Sequence, residues 1–206
     1  MLIIILAYIL GAIPAGYLLN RRVETRVRRA LLVLPLRAPW RDQAVRLAPR
    51  GLSAIADLVK GALIVWTIPA LVEHSAAGQW AWLAYPLVSP GLRASAVLVS
   101  MVVGHVLSVF ISGWGGRGVA TALGGFLVLT PVPACAAMVV WLVLALVTRS
   151  FRSSAIAASF ALPLLLILWQ PFDVLYALAA LLLALLSIAT HAEDLLAQWH
   201  ARRRSN

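Results

Sequence analysis

The sequence is poor in cysteine and in charged residues, and each shortage excludes a class of protein. The chain of 206 residues has one cysteine, Cys135, inside an apolar run, which excludes an internal disulfide and a cysteine-based metal site. Only 12% of the residues are charged, and 7 Asp and Glu stand against 17 Lys and Arg. Soluble domains carry about twice that share of charge. The composition therefore argues against a soluble globular protein.

Apolar residues are abundant instead, and they occur in runs of membrane-spanning length. They make up 63% of the chain, and the mean hydropathy is +0.95. The runs cover about residues 1–19, 53–72, 94–111, 119–130, 134–147, 155–169 and 174–190. A helix needs roughly 20 apolar residues to cross a bilayer, and fewer inside a bundle. We therefore predict an all-α, polytopic membrane helix bundle of about seven transmembrane helices, forming a single domain over residues 1–206.

The basic residues predict how this bundle is oriented. Residues 20–50 form a basic loop with nine arginines, in which apolar residues recur at the spacing of a helix lying on a membrane surface. Residues 191–206 form a basic tail. If the N-terminus lies outside, every basic residue except Arg93 falls on the inner side, counting Lys60. Because positive loops stay cytoplasmic, we predict the N-terminus outside and the C-terminus in the cytoplasm. The positive charge is then explained by orientation and anionic lipid rather than by nucleic acid. The fourth span is short enough to be re-entrant instead.

The segment GHVLSVFISGWGGRGVAT, between the third and fourth spans, has the strongest chemical signal. Gly113, Gly115, Gly116 and Gly118 let backbone N–H groups approach an anion, and the following helix N-terminus adds positive potential. Arg117 adds a forked donor suited to phosphate. The glycines are also consistent with a tight turn or with close helix packing. Composition alone leaves both interpretations open.

Polar residues inside the spans are further candidates. His105 lies in the third span, where a buried polar group indicates either a functional site or a hydrogen bond between helices. Asp57 and Lys60 share one helix face at i, i+3, which favours a structural ion pair; the alternative is that Lys60 donates to a phosphate. 

Two further positions follow the fifth and seventh spans. Arg149 and Ser154 either complete an anion site or serve as a membrane anchor and a helix cap. His191 is either a site residue or part of a solvated helix end.

Three stretches resemble the bacterial acyl-phosphate:glycerol-3-phosphate acyltransferases. They are ILGAIPAGYLL (9–19), DLVKGAL (57–63) and GHVLSVFISGWGGRGVATALGG (104–125), with a weaker likeness at 148–164 and at His191. In order and spacing the resemblance covers most of the chain. The family's Ser-Gly-Asn-x-Gly-Ala-Thr-Asn-like motif has no counterpart in the first cytoplasmic loop. The sequence is therefore identified as a divergent member.

The resemblance implies a multi-pass enzyme of the bacterial inner membrane with its active site at the cytoplasmic face. It would transfer an acyl group from acyl-phosphate to glycerol-3-phosphate, giving lysophosphatidic acid, with no metal or other cofactor. His105 and Arg117 would be catalytic. The substrate-binding residues would be Lys60, Gly113, Gly115, Gly116, Gly118, Arg149, Ser154 and His191. The missing motif favours an alternative, a non-catalytic or re-purposed membrane relative such as a regulatory subunit or an anionic-lipid transporter.

Overall fold

The structure, a computed structural model, consists mainly of helices in the part of the chain that it describes. It describes residues 2–19, 25–26, 39–76, 89–110, 116–148, 150–169 and 173–205. The helices are α1 (Leu2–Ala12), α2 (Pro39–Ala76), α3 (Pro90–Val106), α4 (Val119–Leu129), α5 (Pro131–Thr148), α6 (Phe151–Leu168) and α7 (Val174–Ser205). These described ranges contain no strand, so the prediction of an all-α fold is confirmed.

Several of these helices have the length and composition of membrane spans. Four stretches in the described part of the chain qualify by themselves: Leu2–Leu19, Gly51–Ile68, Pro131–Thr148 and Val174–Ala192. Three shorter apolar helices accompany them: Pro90–Val106, Val119–Leu129 and Ser153–Leu168. Each of these segments corresponds to one of the predicted runs. The protein is an integral membrane protein with several apolar helices.

The helix boundaries differ from the predicted runs at several points. Helix α2 begins at Pro39, inside the predicted basic loop, and α7 continues to Ser205, so the predicted tail is helical. Hydropathy marks only the part of a helix that lies in lipid, whereas backbone hydrogen bonding continues into polar sequence. Residues 20–24 and 27–38 of the predicted loop lie outside the described residues.

Helix α3 is shorter than predicted, and α5 is longer. Helix α3 ends at Val106 instead of residue 111, and the Ser108 hydroxyl then donates to the Ala12 carbonyl at 2.5 Å, which joins this end of α3 to the end of α1. Helix α5 begins at Pro131 rather than residue 134, because a proline in the first helical position gives up no hydrogen bond.

Two helix pairs pack with their backbones in close contact through glycines. Gly11 of α1 and Gly104 of α3 each face a backbone carbonyl of the other helix, and an added Cβ would overlap that carbonyl. Gly61 of α2 and Gly124 of α4 form the same reciprocal arrangement. Small residues allow this approach between membrane helices. The first pair joins α1 to α3 and the second joins α2 to α4. Helix α2 also packs against α1 and α3, which allows polar groups on all three helices to meet.

Candidate functional site

Lys60 of α2 lies at the centre of a buried polar cluster. Its ammonium Nζ donates to the Gly11 carbonyl at 2.8 Å and to the Ile13 carbonyl at 2.9 Å. It also lies 2.9 Å from Nδ1 of His105. The Gly11 carbonyl lies in the last turn of α1, and Ile13 follows this helix, just before Pro14. Lys60 therefore supplies two of the hydrogen bonds at the end of α1, beside those from Ser108 to the Ala12 carbonyl and from the Ala15 N–H to the Ile13 carbonyl.

His105, near the end of α3, is held on both sides of its ring. Because an ammonium can only donate, Nδ1 of His105 accepts from Lys60, and in the neutral ring Nε2 carries the proton. Nε2 lies 3.8 Å from Oδ2 of Asp57, one helical turn before Lys60. His105 is only 7% exposed. The ring is thus enclosed between a cation and a carboxylate from the same helix.

Asp57 belongs to this cluster but was not among the site residues predicted from the sequence. It was predicted as an ion-pair partner of Lys60 or, together with Lys60, as orienting a phosphate, whereas its carboxylate approaches the His105 ring and the backbone of Gly16. Its Oδ1 is buried and has no hydrogen-bond partner among the described residues. The i, i+3 spacing reveals the shared face of Asp57 and Lys60, but nothing local reveals that His105 lies opposite.

The glycine-rich segment enters this cluster at Gly116. The Gly116 N–H donates to the His105 carbonyl at 3.1 Å, and an added Cβ at Gly116 would overlap Nε2 of the His105 ring. Gly118 has φ of 79°, a left-handed conformation that favours glycine, and it precedes the first residue of α4. No side chain among the described residues caps the first turn of α4. A helix start of this kind can bind an anion, and the anion site expected at this segment stays a prediction.

Ser154 and His191 are buried on neighbouring helices. Ser154, near the start of α6, is 1% exposed, and its hydroxyl donates to the Ser150 carbonyl at 2.7 Å. His191 is 2% exposed, and its Nδ1 donates to the Ser187 carbonyl at 2.7 Å. The interpretation of His191 as part of a solvated helix end was wrong, because α7 continues past it and its side chain is enclosed.

The packing of α3 against α7 places His191 at the same end of the bundle as His105. A Cβ at Gly91, in the first turn of α3, would lie 2.7 Å from Oδ2 of Asp173, just before α7. The two helices therefore begin at the same end and run in the same direction. Since every helical residue adds about 1.5 Å, α7 reaches Ser187 at the level of His105.

Three predicted site residues cannot be placed. Gly113, Gly115 and Arg149 lie outside the described residues. Of the others, His105 contacts both Lys60 and Gly116, and Arg117 and Gly118 follow Gly116 in the chain. Ser154 lies near the start of α6, and His191 lies about one helical turn beyond the level of His105 on α7. Among the described residues no group of three or more His, Cys, Asp or Glu could hold a metal ion.

These features define a polytopic helical membrane protein in which a glycine-rich segment meets a buried polar cluster. Comparison with known proteins identifies its family. Residues 43–200 match the family described as glycerol-3-phosphate acyltransferase. The chain belongs to this family, as the sequence predicted.

Individual relatives agree with this assignment. The glycerol-3-phosphate acyltransferase of Methylorubrum extorquens is 33% identical over 195 residues, covering 93% of this chain and 85% of the relative. The glycerol-3-phosphate acyltransferase of Wolinella succinogenes is 32% identical over 177 residues, covering 79% of this chain and 73% of the relative. The fold is also similar to a crystal structure of PlsY, an integral membrane glycerol 3-phosphate acyltransferase, in its glycerol 3-phosphate form. The TM-score is 0.69 at 23% sequence identity, and the match covers 98% of this chain and 92% of the PlsY chain. This likeness shows the shared fold.

Proposed function

We propose that this chain is a membrane acyltransferase that transfers an acyl group from an acyl-phosphate to the 1-hydroxyl of glycerol-3-phosphate. The products are lysophosphatidic acid and inorganic phosphate. Membership of the glycerol-3-phosphate acyltransferase family supports the reaction type and the acceptor. The observation that carries the proposal is the glycine-rich turn, which packs on His105 and leads through Gly118 into the uncapped start of α4 beside Arg117.

The turn suits both substrates because each of them carries a phosphate. Backbone N–H groups at a helix N-terminus are arranged to bind such an anion, and the helix dipole adds positive potential. The Arg117 guanidinium adds two parallel donors of the geometry that phosphate oxygens accept. We assign phosphate binding to Arg117 and to the backbone of Gly113, Gly115, Gly116 and Gly118.

An acyl-phosphate is a mixed anhydride, so its acyl carbon is already activated toward attack. The acceptor oxygen forms a new ester bond to that carbon and gives up its proton. The bond from the carbon to the phosphate oxygen breaks, and phosphate leaves with the electron pair and takes up that proton. Such a transfer requires the two substrates to be held close together and the developing charge to be stabilised. Fixed N–H groups and a guanidinium can provide both, without a covalent intermediate on the protein or a cofactor.

We assign the remaining site residues to the surroundings of this turn. His191 belongs to the same end of the bundle, and Ser154 and Arg149 are assigned to its rim as substrate-binding residues. We place this end at the cytoplasmic face of a bacterial inner membrane, because the positive charge of the chain gathers there in the predicted topology. The lipid product would then be released directly into the bilayer.

The test supplies purified protein in detergent with palmitoyl-phosphate and glycerol-3-phosphate and follows both products. Arg117→Ala should abolish the formation of lysophosphatidate and of phosphate. Arg93→Ala is the matched control, because it removes the same charge at the start of α3, the opposite end from His105. Phosphate without lysophosphatidate would indicate a different acceptor, with water as the first choice. If well-folded protein forms neither lysophosphatidate nor phosphate, the proposal is contradicted and the non-catalytic relative is favoured.

A further inference from the structure

Two other segments of the chain, the end of α1 and the end of α3, supply three acceptors to the Lys60 ammonium. An ammonium has three N–H donors, and the three acceptors around Nζ are the Gly11 carbonyl, the Ile13 carbonyl and Nδ1 of His105, at 2.8 to 2.9 Å. The donor capacity of Lys60 is therefore fully used within the protein. A phosphate oxygen could bond to this ammonium only by displacing a carbonyl of α1 or the His105 ring.

The His105 ring in turn determines where the glycine-rich segment can lie. The ring is in contact with Gly116, at a separation that leaves no room for a Cβ, and the His105 carbonyl accepts the Gly116 N–H. Rotation of the ring would therefore push Gly116 away and lengthen that hydrogen bond. The Lys60 ammonium on one side and the Asp57 carboxylate on the other hold the ring against this rotation.

From these contacts we infer that Lys60 is a positioning residue, which fixes the His105 ring against the end of α1 and thereby sets the place of Gly116 at the entrance to α4. The expected effect on kcat rests on the proposed function. The expected effect on the position of Gly116 rests on the geometry alone. It gives Lys60 a different role from the phosphate donor expected from the sequence. Lys60 acts on the reaction through the position of the turn, without touching substrate.

The kinetic test compares Lys60→Met, which keeps the length of the side chain and removes its donors, with the wild type. Small displacements of catalytic groups cost about 10²-fold in rate, so kcat for lysophosphatidate formation should fall by about that factor. The KM values for glycerol-3-phosphate and palmitoyl-phosphate should each stay within about twofold, because no substrate contact is lost. Lys60→Arg keeps the charge and the donors and should recover part of kcat. A KM raised about tenfold or more with kcat preserved would make Lys60 a substrate ligand and overturn the inference.

Ser108→Ala is the matched control for simple loss of stability. It removes the hydrogen bonds that the Ser108 hydroxyl makes with the Ala12 carbonyl and with the Phe110 N–H, at the same end of α1, and leaves the Lys60 and His105 side chains unchanged. It should lower the melting temperature less than Lys60→Met does, because fewer hydrogen bonds and no charged donor are lost, while kcat stays within about threefold of the wild type. An equal loss of kcat in both variants would reduce Lys60 to a helix cap and contradict the positioning role.

A second measurement does not depend on turnover. Hydrogen–deuterium exchange at the Gly116 amide should be at least about tenfold faster in Lys60→Met than in the wild type, and unchanged in Ser108→Ala. Unchanged protection in Lys60→Met would overturn the inference even if the enzyme is active. If the wild-type protein makes no lysophosphatidate but the Gly116 amide still exchanges faster in Lys60→Met, the positioning role is supported and the proposed function fails.

Discussion

The close packing of α2 against α4 makes Gly61→Ala a sharp test of the structure. An added methyl group at Gly61 would overlap the backbone carbonyl of Thr121, which cannot rotate away as a side chain could. Helices α2 and α4 would have to move apart along the interface. Gly51, on the same helix α2, has no atom within 4 Å of an added Cβ, so Gly51→Ala is the same chemical change without the clash.

The magnitude follows from two opposing terms. Overpacking a tight contact costs typically about 1–3 kcal/mol. Replacing a glycine by alanine inside a helix returns up to about 1 kcal/mol, because alanine loses less backbone entropy. The second term is common to both variants, so the difference between Gly61→Ala and Gly51→Ala isolates the packing cost. We expect Gly61→Ala to be less stable than Gly51→Ala by about 1–3 kcal/mol.

The assay is reversible unfolding of the purified protein in mixed micelles with increasing sodium dodecyl sulfate, followed by tryptophan fluorescence. Equal stability of the two variants would refute the reciprocal glycine contact. Gly124→Ala, which faces the Leu58 carbonyl across the same interface, extends the test. Once α2 and α4 have separated for one methyl group, the second should cost less. The double variant should therefore lose less than the sum of the two single losses.

Two further predictions concern the turn into α4 and the orientation of the bundle. Gly118→Ala forces a side chain into a left-handed conformation at φ of 79° and places its Cβ 2.8 Å from Val102. The free energy of unfolding should therefore fall by about 1–2 kcal/mol relative to Gly51→Ala, and lysophosphatidate formation should fall with it. Wild-type values for both would show that the turn is not required in this form. A green fluorescent protein fused after Asn206 should fluoresce, and an alkaline phosphatase fused at the same place should be inactive, because the C-terminus is predicted to be cytoplasmic. The opposite pair of results would show that the predicted orientation is reversed.

The helical spans and the family could be predicted from the sequence because both depend on local features. A run of apolar residues of bilayer length forms a helix whatever its neighbours are, since lipid leaves the backbone no other way to satisfy its hydrogen bonds. The likeness around His105 and the following glycines is likewise contained in one continuous stretch. The polar ends of α2 and α7 were not predicted, because hydropathy does not indicate where a helix ends in water or at a surface.

The connections between helices were decided only by the tertiary structure. Lys60 bonds to the carbonyl of Gly11, 49 positions away, and lies beside His105, 45 positions away. The sequence shows that these residues are polar and lie in apolar surroundings, and hence that each needs a partner. It does not show which helix faces meet, because that depends on where glycines allow two backbones to approach. The reciprocal contacts join α1 to α3 and α2 to α4, and α2 also packs against α1 and α3, so that the end of α1, Lys60 and His105 come together beside Gly116.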